Sequence, residues 1–237
     1  MIDGYLDKLI GENLLAKQES EKREGSGKLS ASKLYWPLQW QILATKFKLK
    51  SNLDEYTLRK FQRGKDVEEW FIKQIKPVDS QKFLEYRGVI GFCDSIVDTK
   101  EWENNIGIIP LEVKSVTNMK FKRIVREDDE GNTVGEPDRG HVLQNALYAL
   151  ALEKEHHAIT YIASDDYRVA TFICKTAESK EKIDQIIDEF QAAYMLDTIP
   201  KFEPREKWQA DIKYNNFPEY AGMTEDELKE EYKKLKQ

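Results

Sequence analysis

The sequence is poor in cysteine and has no long apolar run, and each shortage excludes a class of protein. Its 237 residues include two cysteines, Cys93 and Cys174, which excludes a disulfide framework within the chain and favours a reducing compartment. These two thiols cannot supply the four thiolates of a structural zinc or iron–sulfur site. Apolar runs stay below the roughly 18 residues of a membrane span, and the N-terminal residues lack a signal-peptide pattern. We therefore expect a cytoplasmic protein with no membrane partner.

The sequence also lacks an excess of positive charge. Lysine and arginine total 37 against 43 acidic residues, which gives a net charge of −6. Because cations that neutralise phosphates supply most non-specific affinity for nucleic acid, this composition excludes a protein that holds nucleic acid mainly through a broad basic surface. An enzyme that acts on nucleic acid stays allowed, since carboxylates that bind a metal ion add negative charge that the ion offsets.

Hydrophobic periodicity predicts helices and strands in mixed order. The predicted helices lie at 1–24, 54–75, 140–155, 179–196 and 224–237. The predicted strands lie at 86–99, 105–116, 157–166 and 167–175. The first two strands have the spacing of an antiparallel hairpin, and the polar stretch 120–140 is predicted to form a small hairpin or flap. This order predicts an α/β fold with a central mixed sheet flanked by helices.

Two helices carry more detailed predictions. In the helix at 54–75 the predicted buried stripe consists of Leu58, Phe61, Val67, Phe71 and Ile75. In the helix at 224–237, Thr224 and Glu227 have the spacing of a capping box. That last helix is strongly charged, so it is predicted to be either a solvated face or a docking tail for a protein partner.

An acid and a base stand two positions apart in the apolar strand at 105–116. Glu112 and Lys114 alternate with apolar neighbours, so they share one face of the strand close to the core. Burying either charge unpaired would cost several kcal/mol, so we expect a partner or a metal ion. In the preceding strand, Asp94 can lie alongside Glu112, and a hard divalent cation would relieve the repulsion between the two carboxylates.

Other residues are predicted to surround this site. Gly88 and Gly91 thin the strand near Asp94, which would let a ligand approach the backbone. On the helix at 140–155, His141, Gln144 and Tyr148 recur at i, i+3 and i+7, so one helix face presents all three toward the site. A cationic run after the active strand can grip DNA phosphates, although a solvated flap is equally compatible because the acidic EDDE follows. This run consists of Lys120, Lys122, Arg123 and Arg126.

Four short motifs resemble those of one enzyme family. Asp94 followed by Glu112-Val113-Lys114 resembles the core motif of the PD-(D/E)XK nuclease superfamily, and Gln144 with Tyr148 resembles the Q-x-x-x-Y motif of its RecB-like branch, which includes CRISPR-associated exonucleases. The stretch 64–68 lies where that branch has G-x-x-x-H, with Glu68 in place of the histidine, and LSASKL resembles the S-x-S-x-L start. The resemblance covers roughly residues 29–204, in the order of the family's elements.

The resemblance implies a fold, a domain division and a metal cofactor. It implies a restriction-endonuclease-like nuclease domain at 29–205, with an N-terminal helix and linker at 1–28 and a C-terminal extension at 206–237. One or two Mg²⁺ or Mn²⁺ ions would be bound by Glu68, Asp94, Glu112 and the carbonyl of Val113. Some relatives carry an iron–sulfur cluster, but the cysteines that hold it are missing here, so we expect none. Packing by Trp36, Trp208 and Tyr214 is predicted to replace the cluster.

The resemblance also implies roles and a reaction. Lys114 would hold or activate the attacking water, Gln144 and Tyr148 would orient Lys114 or contact the nucleic-acid backbone, and His141 would begin its helix or contact substrate. The implied activity is a metal-dependent deoxyribonuclease, an exonuclease on DNA ends or single strands, in replication, repair, recombination or viral DNA processing. A catalytically inactive nucleic-acid-binding or complex-assembly subunit is the alternative, and a metal-free scaffold is a third. Nothing in the residues sets polarity, DNA against RNA, or the oligomeric state.

Overall fold

A computed structural model describes residues 5–20, 26–50, 54–127, 133–211 and 214–237. These ranges contain eight α-helices, namely α1 (Tyr5–Ser20), α2 (Leu38–Thr45), α3 (Glu55–Ile75), α4 (Asn118–Ile124), α5 (Arg139–Ala151), α6 (Ala177–Met195), α7 (Pro218–Ala221) and α8 (Glu225–Leu235). The strands are β1 (Asp79–Tyr86), β2 (Val89–Asp98), β3 (Ile108–Val116), β4 (Val125–Glu127), β5 (Thr133–Gly135), β6 (His156–Ala163) and β7 (Val169–Lys175). Short 3-10 helices lie at Ala31–Lys33 and Lys207–Ala210.

Five strands form one mixed sheet in the order β1-β2-β3-β6-β7. β3 and β6 pair in parallel, and the other neighbours pair antiparallel. A parallel pair needs a crossover connection, and the chain between β3 and β6 provides it through α5. The fold is therefore α/β with a central mixed sheet flanked by helices, as the sequence predicts.

Helices cover both faces of the sheet. On one face, β1 and β2 pack against α5 and α6 through apolar side chains such as Cys93, Leu147 and Ile187. On the other face, Val67 of α3 packs against Val113 of β3 and its neighbours. The central strand β3 is therefore enclosed between two layers, which is why a charge on it is shielded from water.

The helix α5 is fixed to the sheet by polar contacts as well as by its apolar side chains. Asp138 caps it by accepting a hydrogen bond of 2.9 Å from the Gly140 amide. Asn145 is wholly buried and donates to the carbonyls of Ala158 on β6 (2.6 Å) and Pro110 on β3 (3.3 Å). Because Asn145 joins α5 to both strands, the neighbouring Gln144 is held directly over β3.

The helix α3 agrees with the predicted range but departs from the predicted stripe at one position. Asp54 caps its first turn by accepting from the Thr57 amide at 2.8 Å. Leu58 and Val67 are buried, as predicted, whereas Phe61 is 53% exposed. The prediction of a buried Phe61 is wrong because this turn of α3 lies along an open cleft.

The strand β1 and the helix α4 were not predicted from the sequence. The strand β1 lies at the sheet edge with six of its eight residues exposed, so its sequence lacks the alternation that marks a half-buried strand. The helix α4 falls inside the stretch interpreted as a flap, and Thr117 caps it by accepting from the Lys120 amide. The strands β4 and β5 form the small hairpin that was predicted there, and residues 128–132 of that stretch lie outside the described ranges.

The C-terminal helix α8 packs on the body of the protein. Thr224 and Glu227 form the predicted capping box. Leu228 and Tyr232 are buried in a cluster with Trp40 and Phe217, so the apolar face of α8 is already covered. Within the described ranges, every helix is too short or too polar to traverse a lipid bilayer.

Candidate active site

Glu112 lies at the centre of the candidate site with its side chain wholly buried. Its Oε1 atom is 2.5 Å from the Lys114 ammonium and accepts a hydrogen bond of 2.7 Å from the Gln144 amide. Its Oε2 atom has no hydrogen-bond partner among the described residues. Burial is the largest influence and raises the pKa of Glu112 to about 8, which Lys114 opposes and Asp94 reinforces. The strand thus holds a buried carboxyl group with one oxygen unengaged.

Lys114 points from the same strand face toward solvent, with a quarter of its side chain exposed. Burial lowers the pKa of Lys114, but the carboxylates of Glu112, Asp94 and Glu68 outweigh that effect, so its pKa lies above the usual value. Lys114 therefore remains a cation at neutral pH. The three acidic side chains of Glu112, Asp94 and Glu68 act on its ammonium.

Asp94 reaches the site from the point where β2 separates from β3. The last paired residues of this ladder are Ser95 and Leu111, so Asp94 lies one residue beyond the pairing. Its Oδ2 atom accepts a hydrogen bond of 3.0 Å from the Val113 amide, which holds the carboxylate against β3 beside Glu112. The negative charge of Asp94 raises the pKa of both Glu112 and Glu68.

Glu68 supplies a third carboxylate from α3. Its side chain is half-buried and lines the cleft in front of Lys114. Burial raises the pKa of Glu68, whereas the Lys114 cation and the Ser115 backbone amide lower it. The structure therefore brings together Glu68, Asp94 and Glu112, which come from α3, β2 and β3, around one ammonium.

The donor set fits a hard divalent cation, although it is not a preassembled cage. Among the described residues, no three side chains of histidine, cysteine, aspartate or glutamate have the arrangement of a metal site. The reason is visible in the contacts, since Glu112 is engaged by Lys114 and Gln144 while Asp94 is engaged by Val113. Mg²⁺ is commonly bound by one or two carboxylates together with waters and substrate phosphates. The unengaged oxygen of Glu112 would be one such donor.

Gln144 and Tyr148 connect the site to α5. Besides donating to Glu112, the Gln144 amide lies 3.4 Å from the Tyr148 hydroxyl. That hydroxyl fills the space above Gly91, where an added Cβ would lie 2.6 Å from it. The prediction that Gly91 admits a ligand is therefore wrong, because this glycine makes room for Tyr148. Gly88 lies in the turn before β2 with φ +83.

His141 is held in one tautomer by a tyrosine from β6. The Tyr161 hydroxyl accepts a hydrogen bond of 2.9 Å from the Asp138 amide and lies 2.9 Å from His141 Nδ1. Since Nδ1 is the one acceptor that the proton of this buried hydroxyl meets among the described residues, we assign that proton to a bond with Nδ1, which leaves the histidine proton on Nε2. Burial lowers the pKa of His141 to about 3, so the ring is neutral. His141 thus offers an N–H donor to the cleft.

The cleft in front of these residues has a volume of about 800 Å³ and is lined by cations. Glu68, Lys114, His141 and Gln144 form one part of its wall, where β3, α3 and α5 meet. The other lining cations are Lys17, Lys60, Arg63, Lys65 and Lys120. An acidic protein therefore presents a local positive groove that leads to a group of carboxylates.

The predicted phosphate contacts divide into two groups. Lys120 lines the cleft, 3.8 Å from the Asp138 carboxylate. Lys122, Arg123 and Arg126 are exposed and do not line it, and the Arg123 guanidinium contacts Met119 Sδ instead. Sequence reasoning missed the cations of α3, which lie between the acidic residues Glu55 and Asp66 of the same helix. Lys60, Arg63 and Lys65 lie around Gly64, one to two helical turns before Glu68, and this spacing is the signal that could have identified them.

The two cysteines and the aromatic residues near the C-terminus complete the description. Cys93 is buried on β2 and Cys174 is half-buried on β7, and both are free. Trp36 packs edge-on against the buried Trp40. Trp208 and Tyr214 contact each other but are each about half exposed, so this pair lies at the surface.

Comparison with known proteins shows similarity at the level of structure. No family model matches the chain, and no curated protein sequence matches it. The crystal structure of SSO0001 matches with a TM-score of 0.51 at 16% identity, over 92% of this chain and 98% of that one. LHK-Exo in complex with dAMP matches with a TM-score of 0.48 at 13% identity, over 70% and 87% of the two chains.

A further structure, the alkaline exonuclease LHK-Exo from Laribacter hongkongensis, matches with a TM-score of 0.45 at 13% identity, over 70% and 89% of the two chains. The similarity to SSO0001 shows a shared fold. What the protein does has to be argued from its own site.

Proposed function

We propose that this protein is a metal-dependent DNA nuclease, a Mg²⁺- or Mn²⁺-dependent phosphodiesterase that acts on DNA ends or single strands. One observation carries the proposal: the wholly buried carboxyl of Glu112 keeps one oxygen unengaged and contacts Lys114 and Gln144, which line a cleft rich in cations. A buried ion pair is weak support for stability, because apolar residues of similar size serve a fold as well or better. A buried carboxyl with a strongly raised pKa, directly behind a cleft, instead favours a functional site.

The chemistry of the site suits phosphodiester hydrolysis. A bound divalent ion would make water nucleophilic and neutralise charge on the phosphate. Asp94 and Glu112 are the acceptors that would hold it, with the Val113 carbonyl and Glu68 as further oxygen donors. Lys114 places a compact positive charge where negative charge develops on the phosphate. Gln144 keeps the Glu112 carboxyl aimed at this point through its 2.7 Å hydrogen bond.

The cations of the cleft supply what the overall composition lacks. Nucleic acid is bound mainly through its phosphates. Lys60, Arg63, Lys65 and Lys120 line the path toward Lys114 and can hold successive phosphates of one strand. This local groove reconciles a net charge of −6 with a nucleic-acid substrate.

The resemblance to RecB-like nucleases extends the proposal to mode and process. We propose exonuclease action within DNA replication, repair, recombination or viral DNA processing. Residues 29–205 form the proposed nuclease domain, flanked by extensions at 1–28 and 206–237. The N-terminal extension contributes to the substrate path, since Leu14 and Lys17 of α1 line the cleft.

A second candidate is a nucleic-acid-binding or assembly subunit in which the same fold no longer cuts. It is favoured by one observation, namely that Glu112 is engaged by Lys114 and Gln144 and no preassembled metal site exists among the described residues. The retention of Asp94, Glu112 and Lys114 together favours the enzyme, because a decayed site usually loses one of them.

Cleavage of end-labelled DNA tests the two candidates. Single- and double-stranded DNA, with an RNA strand of the same sequence, would be incubated with Mg²⁺ or Mn²⁺ and wild type, Asp94→Ala, Lys114→Ala or Lys122→Ala. We expect cleavage by wild type and by Lys122→Ala, which alters an exposed cation outside the cleft, and a loss of at least about 10²-fold in the other two variants. Cleavage that survives both site substitutions would falsify the site. Binding without cleavage by wild type would favour the second candidate.

A further inference from the structure

One turn of α3 exposes an aromatic ring inside the cleft. Phe61 is 53% exposed, although its position in the helix predicts burial, and it lines the same cleft as Glu68 and Lys114. Seven residues separate Phe61 from Glu68, which is about 10 Å along a helix at 1.5 Å per residue. That distance corresponds to one or two nucleotides of an extended strand. The ring therefore lies near the candidate site but outside it.

Among the described residues, Phe61 lacks the aromatic partner that most of the other exposed rings have. Trp70 packs on Tyr167, and Phe83 packs on Phe92, so each of these rings already has an aromatic partner. Within the described ranges, no aromatic contact involves Phe61. Single exposed apolar residues are common on protein surfaces. The distinction here is that the exposed ring lies within a charged cleft.

The surroundings of Phe61 suit a nucleotide. Arg63 and Lys65 line the cleft, and neither forms an ion pair or a hydrogen bond with another described residue. Between them, an added Cβ at Gly64 would meet no atom within 4 Å, so the helix surface is open there. An aromatic ring beside unengaged cations and open backbone is how proteins hold a nucleic-acid strand, by stacking the base and contacting the phosphates.

We propose that Phe61, with Arg63, Gly64 and Lys65, forms a subsite that stacks one unpaired nucleobase and holds the adjacent phosphates of a single strand. The ring faces of a base inside a duplex are covered by its neighbours, so stacking on Phe61 selects unpaired nucleotides. Where this base lies relative to the cleaved phosphodiester bond rests on the proposed function. The stacking itself needs no metal ion, and it can be measured where no cleavage occurs.

Metal-free binding tests the subsite directly. Fluorescence anisotropy with a labelled single-stranded DNA in EDTA at low salt would compare wild type, Phe61→Ala and Phe61→Tyr. Phe83→Ala is the matched control, because Phe83 is 51% exposed on β1 and does not line the cleft. We expect Phe61→Ala to weaken binding by about 5- to 100-fold. Phe61→Tyr and Phe83→Ala should bind like wild type.

Two further measurements separate stacking from charge and from misfolding. The dependence of affinity on salt should keep its slope in Phe61→Ala, whereas Arg63→Ala should reduce the slope by about 0.7. In a second series, an abasic site would replace each nucleotide of the strand in turn. At one position it should weaken binding by wild type as much as the Phe61→Ala substitution does. At that same position it should not weaken binding by Phe61→Ala any further. A misfolded variant would instead lose single-strand and duplex binding alike and would unfold at a lower temperature.

The outcomes separate this proposal from the proposed function. Base-dependent binding through Phe61 without any cleavage by wild type would support the subsite and overturn the nuclease. Cleavage combined with unchanged binding of Phe61→Ala would overturn the subsite and keep the nuclease. The subsite is also overturned if wild type does not bind the single strand, or if Phe61→Ala unfolds at the wild-type temperature and yet weakens duplex and single-strand binding equally.

Discussion

At the scale of single residues, Glu112 is held between two kinds of partner. The Lys114 ammonium favours its charged form, while burial and the Asp94 carboxylate favour its neutral form. A residue kept for stability alone would not be placed under such opposing influences, because a well-packed apolar side chain avoids the cost of desolvation. The free energy of unfolding can therefore distinguish a structural ion pair from a functional one.

The first prediction concerns this pair. We expect the double variant Glu112→Leu/Lys114→Met to leave the free energy of unfolding unchanged or to raise it by up to about 4 kcal/mol, because both charges are removed together. Urea denaturation measures the change. The exposed pair Asp98 and Lys100, whose charged atoms are 4.0 Å apart, is the control, and replacing both by Ala should change stability by less than about 1 kcal/mol. A loss of several kcal/mol in the first variant would show that the pair is structural.

The second prediction concerns His157, which is wholly buried on β6 with no partner for either ring nitrogen among the described residues. Burial, with a smaller contribution from His156, lowers the pKa of His157 to about 4. The folded protein keeps the ring neutral while the unfolded chain takes up a proton below about pH 6.5. His157 therefore does not reduce the free energy of unfolding above about pH 6.5. As the pH falls from 6.5 toward 4, the free energy of unfolding decreases by up to about 3 kcal/mol.

Urea denaturation between pH 4 and pH 8 checks this behaviour. The difference in unfolding free energy between wild type and His157→Leu should change with pH in the stated direction, and His156→Leu should not remove the pH dependence. An identical pH profile for wild type and His157→Leu would contradict the assigned cause.

The residues of the site differ in how far the sequence could predict them. Asp94, Glu112 and Lys114 could be predicted because strand alternation puts charges on a face that must be buried. The unengaged Oε2 atom and the contact between Asp94 and the Val113 amide could not, because they depend on where β2 and β3 separate. The burial of Phe61 was predicted wrongly because an amphipathic pattern locates the centre of a buried stripe and does not define its edges.

At the scale of elements, the junction between β6 and α5 determines the chemistry of His141. The Tyr161 hydroxyl of β6 bonds both to the Asp138 amide before α5 and to the His141 ring on its first turn. A strand and a helix thus fix a side chain that neither could fix alone. The pattern at i, i+3 and i+7 predicted that His141 faces the site, but its tautomer depends on a tyrosine 20 residues later in the chain.

The third prediction follows from this junction. Nitrogen-15 NMR of the metal-free protein should show His141 neutral at pH 5, with its proton on Nε2, because its pKa is about 3. Tyr161→Phe should release the tautomer preference and lower the unfolding free energy by about 0.5–1.5 kcal/mol, since the Asp138 amide loses its acceptor. The protein has three histidines, and single substitutions at His156 and His157 assign the signals. A His141 signal that titrates near pH 6.5 would contradict the account.

The elements themselves were predictable where local signals were strong. The helices α3 and α8 have side-chain caps, and the buried strands β3 and β6 are rich in apolar and β-branched residues. The edge strand β1 was missed because it is stabilised by pairing with β2. This tertiary contact leaves no alternating pattern in the exposed sequence of β1.

At the scale of the whole molecule, the distribution of charge matters more than its sum. The composition excluded a broadly basic surface. It could not predict that Lys60, Arg63 and Lys65 line one cleft. That placement depends on how α3 lies across β3, which is set by the packing of Val67 and its neighbours. The spacing of these cations can be read from the sequence, whereas their place in a groove depends on the folded chain.

The fourth prediction tests this distribution. Replacing Lys60, Arg63 and Lys65 by Ala should weaken metal-free DNA binding and reduce the slope of affinity against salt by about 2. Replacing Lys229, Lys233 and Lys234 of α8 by Ala changes the net charge equally and should leave both quantities unchanged. Equal effects of the two sets would show that binding follows net charge. Wild-type affinity without metal should be modest at physiological salt.

The central claim is that Asp94 and Glu112 share a divalent cation beside Lys114, and calorimetric titration with Mn²⁺ tests it most directly. Wild type, Asp94→Asn, Glu112→Gln and the control Asp98→Asn, an exposed carboxylate at the end of β2, would be compared. We predict Mn²⁺ binding by wild type and Asp98→Asn, with affinity lowered at least about tenfold in the other two variants. Absence of binding by wild type, or equal binding by all four proteins, would contradict the account.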